Sequence, residues 1–207
     1  MRSATTPPAS RSERVAYLIS GSTSPYVVAA VTAAVAVLLL RPSLGQLLLW
    51  GGICILTGAI IPFLIVLILW RKHRISDIHV AVRAQREIPF VAALVSASVG
   101  VAVLWVIHAP APLIGLGAIY LINGLMLALI SLRWKISVHA SVFTAGVISI
   151  ALISSPLVLW GLLLLPLVMW ARVKRHRHTW AQGLVPVLLS GVLTPSAYGL
   201  VMKYLGG

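Results

Sequence analysis

Negative charge is the scarcest commodity in this chain. Of 207 residues only Glu13, Asp77 and Glu87 are acidic, against 16 lysines and arginines. Three carboxylates cannot furnish the aspartate-rich motifs that hold magnesium for prenyl or CDP-alcohol transfer, nor a di-metal carboxylate site. A paired-carboxylate hydrolase would have to be built from Asp77 and Glu87 alone. No acid lies inside an apolar run, so proton-coupled transport through intramembrane carboxylates has nothing to work with. Cysteine is nearly absent as well: Cys54 stands alone inside an apolar run and cannot form an internal disulfide. Charge of either sign is sparse, 9% of residues where a soluble domain carries about a quarter. The sequence implies no metal and no cofactor.

What fills the space is hydrocarbon. Sixty per cent of residues are hydrophobic and the mean hydropathy is +1.04. The apolar residues come in long runs at 24–40, 46–70, 89–107, 112–132, 136–153, 156–170 and 183–202. Most approach the ~20 residues that carry a helix across ~30 Å of hydrocarbon. The runs are continuous rather than alternating, which excludes a transmembrane β-barrel and leaves helices to satisfy the backbone in lipid. The expected fold is all-α, a polytopic transmembrane bundle of six to seven spans. Residues 1–23, basic and rich in Ser, Thr and Pro, are expected to be a disordered tail preceding one membrane domain over 24–207.

The charges sort by loop. Arg2, Arg11 and Arg14 precede the first run; Arg71, Lys72, Arg74, Arg83 and Arg86 follow the second; Arg133 and Lys135 follow the fourth; Arg172, Lys174, Arg175 and Arg177 follow the sixth. In a seven-span arrangement these fourteen share one side, leaving only Arg41 and Lys203 opposite. The positive-inside rule puts that side in the cytoplasm. Anionic headgroups are a sufficient partner for such loops. No soluble basic module exists for nucleic acid, and no soluble partner is implied. Trp70, Trp134, Trp170 and Trp180 flank the same loops as an interfacial belt.

Five of the six histidines (His73, His79, His139, His176 and His178) lie on the basic side, His108 on the other. Histidine with arginine and without acids suits phosphate chemistry, since guanidinium forks match phosphate oxygens and imidazole serves as nucleophile or acid near neutrality. Three segments carry these residues: SDIHVAVRAQREIPF at 76–90, RWKISVHAS at 133–141 and ARVKRHRHTWAQG at 171–183.

In order and spacing the three segments resemble the type 2 phosphatidic acid phosphatase superfamily, whose pattern is K-x6-RP, PSGH, then SR-x5-H-x3-D. Arg172 and His178 reproduce R-x5-H; Ser137-Val-His139 stands for Ser-Gly-His; Arg86 has Pro89 three residues on; His79 falls where the lysine would be. The likeness spans about residues 75–190 and points to a diverged bacterial branch. It implies that His178 attacks phosphorus to form a phosphohistidine, while Arg172, Arg86 and Arg83 clamp the equatorial oxygens, with Ser137 and His79 as further phosphate contacts. His139 would protonate the leaving alkoxide and then activate water. The chain departs from the pattern at Gln182, which replaces the aspartate orienting the nucleophile, at Ala171 for serine and at Val138 for glycine. Asp77, from the first segment, is a candidate replacement for that orienting acid.

The resemblance thus implies a metal-independent lipid phosphatase of a bacterial cell membrane, its active face cytoplasmic, acting on a polyprenyl or glycerolipid phosphate or diphosphate. Two alternatives stand beside it: an isoprenoid-diphosphate phosphotransferase or diphosphate-ionising enzyme on the same scaffold, and a non-catalytic lipid-binding membrane scaffold.

Overall fold

The structure, a computed structural model, describes residues 10–206. Among them the regular elements are all helical: α1 (Arg11–Ser22), α2 (Pro25–Leu39), α3 (Leu44–Ile55), α4 (Ile61–Arg71), α5 (Glu87–Val106), α6 (Ala111–Ser131), α7 (Val138–Ile153), α8 (Leu165–Lys174) and α9 (Trp180–Leu205). A π turn at Leu56–Ile60 joins α3 to α4 just ahead of Pro62, where proline has no N–H to offer the preceding ladder. A 3-10 segment, Pro156–Leu164, leads into α8.

Five continuous helical stretches are long and apolar enough to cross a membrane: Leu44–Arg71, Arg83–Val106, Ala111–Ser131, Pro156–Lys174 and Trp180–Leu205. A sixth forms if α1 and α2, bent by 47° at their junction, act as one span. The chain is an integral membrane helical bundle. The seventh apolar run, 136–153, yields the sixteen residues of α7, about 24 Å of helix and shorter than the other stretches. It stands at the centre, packed against α2 and α9.

The expected tail does not persist to residue 23. Residues 1–9 lie outside the described part, but Arg11–Ser22 is helix, started by a capping box in which the Ser10 hydroxyl accepts from the Glu13 N–H and the Glu13 carboxylate accepts from the Ser10 N–H. Its face packs on α8, and Arg175 lies 4.7 Å from the Tyr17 ring centroid.

The bundle is dressed for lipid. Leu44, Leu157, Leu163 and Val192 face outward, whereas Ser20, Ser141, Thr144, Ser149, Ser190 and Thr194 are buried. Ser141 and Ser190 share a 2.7 Å hydrogen bond between α7 and α9. Asn123 Nδ2 donates to Thr194 Oγ1 at 3.2 Å, joining α6 to α9. Lipid gives no hydrophobic drive between helices, so small residues and such polar contacts hold the interfaces.

Three of the six histidines end helices. His73, His108 and His176 have φ of 53°, 54° and 52°. Around each, the following N–H reaches back five residues (Arg74 to Leu69, Ala109 to Leu104, Arg177 to Arg172), the closure of a Schellman turn. Histidine visits this left-handed region more readily than most residues with a Cβ. That is a backbone reason for part of the histidine excess.

Candidate active site

The loops after α4, α6 and α8 converge at one end of the bundle. The Ser137 N–H donates to the Gln182 carbonyl at 2.9 Å, and Arg86 bridges two loops, its Nε donating to the Val80 carbonyl at 3.0 Å and its Nη1 to Ile136 at 2.9 Å. Arg177 bonds the Asp77 carboxylate across a hundred residues of sequence. The Ser137–Gln182, Arg86–Ile136 and Arg177–Asp77 contacts each join two of the three segments singled out by sequence.

Beneath this convergence lies a cavity of about 300 Å³. Its mouth carries His79, Arg86, His139, Arg172 and His178; its body is lined by apolar groups such as Phe63, Phe90 and Leu94. Along α7 the lining runs from Val138 to Ser149, roughly 16 Å of helix at 1.5 Å per residue. The space is therefore cationic at one end and mostly apolar for about half a bilayer core, with Thr32, Tyr120 and Asn123 also on its wall.

Local structure explains how each side chain arrives. His139 sits in the first turn of α7, whose N-cap is Ser137: the Ser137 hydroxyl accepts from the Ala140 N–H. His178 immediately precedes Thr179, the N-cap of α9, whose hydroxyl accepts from the Gln182 N–H while Gln182 Oε1 accepts from the Thr179 N–H. Arg172, in the last turn of α8, donates from Nη1 to Ser20 Oγ of α1 at 2.6 Å. His79 lies in a turn closed by the Val80 N–H on the Asp77 carbonyl, and its own N–H donates to Asp77 Oδ1 at 3.2 Å. Val80 pays for that turn with φ of 47°, an uncomfortable value for a β-branched residue.

Three buried nitrogens at this mouth have no partner among the described residues: Nε2 of His139, Nδ1 of His178 and Nε of Arg172. Their residues are 4%, 8% and 3% exposed. Orphaned polar atoms are uncommon inside proteins, because each forfeits its hydration without return. Three of them gather at the head of one cavity, one on Arg172 itself and all near the buried Arg86.

No family model, curated protein or solved structure matches this chain. The site therefore has to be read on its own geometry.

That geometry brings together His178, His139, Arg172, Arg86 and His79, and leaves other candidates off the cavity wall. Arg83 is exposed and donates from Nη1 to the Ser131 and Leu132 carbonyls, closing the C-terminus of α6. Ser137 is engaged as a cap. Asp77 faces His79 and Arg177 rather than the nucleophile candidate, and Gln182 is the group beside His178. Burial alone would raise the Asp77 pKa; hydrogen bonds from His79 and the Arg177 guanidinium overcome it and hold the carboxyl well below the usual range. Burial, reinforced by Arg172, Arg86 and Lys135, pushes His178 far below the ordinary imidazole value, only partly countered by Gln182. Lys135 is itself lowered by burial and by Arg86, Arg177 and Arg172.

Two contributors were not foreseen. Ser20 holds Arg172 from a segment expected to be tail, and its signal is the Ser10-x-x-Glu13 capping box ahead of an apolar stretch. Arg177, counted only as a topology charge, fixes Asp77.

Proposed function

We propose that this chain is a membrane-embedded, metal-independent phosphatase of lipid phosphates, with His178 as nucleophile. The observation that carries the reading is the trio of unpartnered buried nitrogens on His139, His178 and Arg172 at the cationic head of an otherwise apolar cavity. A phosphate fits the head and a hydrocarbon chain the body, so the ligand is a lipid phosphate, a polyprenyl or glycerolipid phosphate or diphosphate. The spread of basic residues favours a cytoplasmic location for this end of the bundle, in a bacterial cell membrane.

The chemistry follows from the charges. A depressed pKa keeps the His178 imidazole unprotonated, so its lone pair is free to form the N–P bond while the bond from phosphorus to the lipid oxygen breaks. Arg172 and Arg86 face the equatorial oxygens, where charge spreads in the transition state. In the second step water attacks phosphorus, His139 takes its proton, the N–P bond breaks and inorganic phosphate leaves.

The test is phosphate release by purified protein in detergent, with EDTA, from a panel of polyprenyl and glycerolipid phosphates. Release by wild type that vanishes in His178→Ala supports the reading. Release that survives the substitution refutes the nucleophile.

Gln182, in place of a charged orienting group, favours a second reading as a lipid-phosphate-binding scaffold. Tight binding of a lipid phosphate without turnover by wild type would select it. A phosphotransferase or diphosphate-ionising enzyme on the same scaffold would instead require an acceptor other than water.

A further inference from the structure

We infer that His79 is the general acid of this site, with Asp77 as its positioning residue, so that the two steps use two different histidines. The inference rests on the phosphatase reading above. His79 and His139 come from different segments, the loop after α4 and the first turn of α7, yet their rings lie nearly parallel, 18° apart with centroids at 6.1 Å. Both line the same cavity mouth. The two rings are thus close neighbours on one wall, within reach of a single phosphate ester seated at the mouth.

Their surroundings differ sharply. Asp77 lies 3.6 Å from His79 Nδ1 and accepts from the His79 backbone N–H; it is fixed in turn by Arg177. The Asp77 carboxylate on the Nδ1 side and the backbone bond fix where this ring sits at the cavity mouth. The His79 side chain is also 23% exposed, so a proton given from it can be replaced from water. His139 is buried, has an unpartnered Nε2 and has no acid beside it, with Arg172 and His178 as its charged or titratable neighbours. Burial and the Arg172 charge keep its imidazole unprotonated, the state a base starts from. Two titratable groups in one site with opposed environments mark the acid and the base.

The proton account closes. As His178 attacks, the lipid alkoxide leaves and takes a proton from the His79 ring. In the second step His139 accepts a proton from the attacking water as the N–P bond breaks. His139 then releases that proton and His79 regains one through solvent, so each turnover consumes one water and no net proton beyond those on phosphate. The groups facing His79 are Asp77 on its own loop, Arg177 from the loop before α9, His139 on α7 and Arg86 at the start of α5.

Leaving-group dependence tests this. A lipid alkoxide needs a proton to leave, whereas nitrophenolate does not, so we compare kcat/KM on an alkyl lipid phosphate and on p-nitrophenyl phosphate. His79→Ala and His79→Gln should lose about 10²–10⁴-fold on the alkyl ester, the usual worth of a general acid, and at least tenfold less on the aryl ester. Asp77→Asn should show the same leaving-group selectivity with a smaller loss, which a merely structural role would not produce. His139→Ala should instead slow both esters and accumulate phosphohistidine. Equal losses on the two esters in both His79 variants, or a leaving-group-selective loss in His139→Ala, would overturn the assignment. Wild type inactive on both esters would overturn the phosphatase reading itself, a different failure from unselective loss in an active enzyme.

Discussion

Removing the buried Arg172 guanidinium should make the protein more stable. Arg172 is 3% exposed, has one hydrogen bond to Ser20 Oγ and leaves Nε without a partner. It is also crowded by the charges of Arg175, Arg177 and Arg86. In the double variant Arg172→Met with Ser20→Ala, both ends of that hydrogen bond disappear together, which is close to neutral. The orphaned donor on a buried charge also disappears, and such a group costs ~1–3 kcal/mol. Apolar replacement of buried ionic groups by residues of similar volume is often stabilising by that order. A gain of about 2 kcal/mol corresponds to a rise in Tm of roughly 4–8 °C for a protein of this size. Wild type should recover the difference when phosphate binds: at a hundredfold excess over Kd the ligand contributes about 2.7 kcal/mol. The assay is thermal unfolding in detergent with and without inorganic phosphate. The variant should melt higher than wild type and ignore phosphate. A variant that melts lower and still responds to phosphate would refute the view that the unpartnered nitrogens are an empty anion site.

Three further predictions follow from the same geometry. The folded pKa of His178 lies far below the unfolded value of about 6.5, so the unfolded chain binds the proton first. Stability is fully present above that value and falls with pH below it, by about 2 kcal/mol at pH 5, and Tm measured from pH 7 to 5 should drop less in His178→Asn. Thr179→Ala removes the cap of α9 and should cost ~1 kcal/mol, with a loss of phosphate release because the same cap sets His178 beside Gln182; Tm and turnover should fall together. His176→Gly relieves a left-handed residue at a helix end and should raise Tm by the equivalent of up to ~1 kcal/mol without altering turnover, unlike any change at His178 or His139.

Sequence and structure meet most closely where one physical rule governs. Long apolar runs became helices because lipid leaves the backbone no other partner, and the loops that carry positive charge converge at one end. Arg172, Arg86, His139, His178 and His79 share a cavity mouth, from segments chosen by residue type and spacing. What escaped the sequence depends on register or on competition between roles. Arg83 looks like a clamp by spacing but is diverted to the open carbonyls of α6. Ser137, expected as a phosphate donor, also accepts from the Ala140 N–H as the cap of α7, a second role that its place before a helix explains. The histidine count overstated the chemistry because three of the six serve backbone geometry. In α1, composition rich in Ser, Thr and Pro outweighed the capping box that begins the helix.

The bond between Ser20 and Arg172 spans 152 positions of sequence. During synthesis α1 emerges among the first described elements and α8 among the last, so every intermediate length of chain lacks one half of that contact. A nascent protein can therefore insert most of its spans before the Arg172 guanidinium finds its buried partner, and that contact forms only when the two ends of the chain have met.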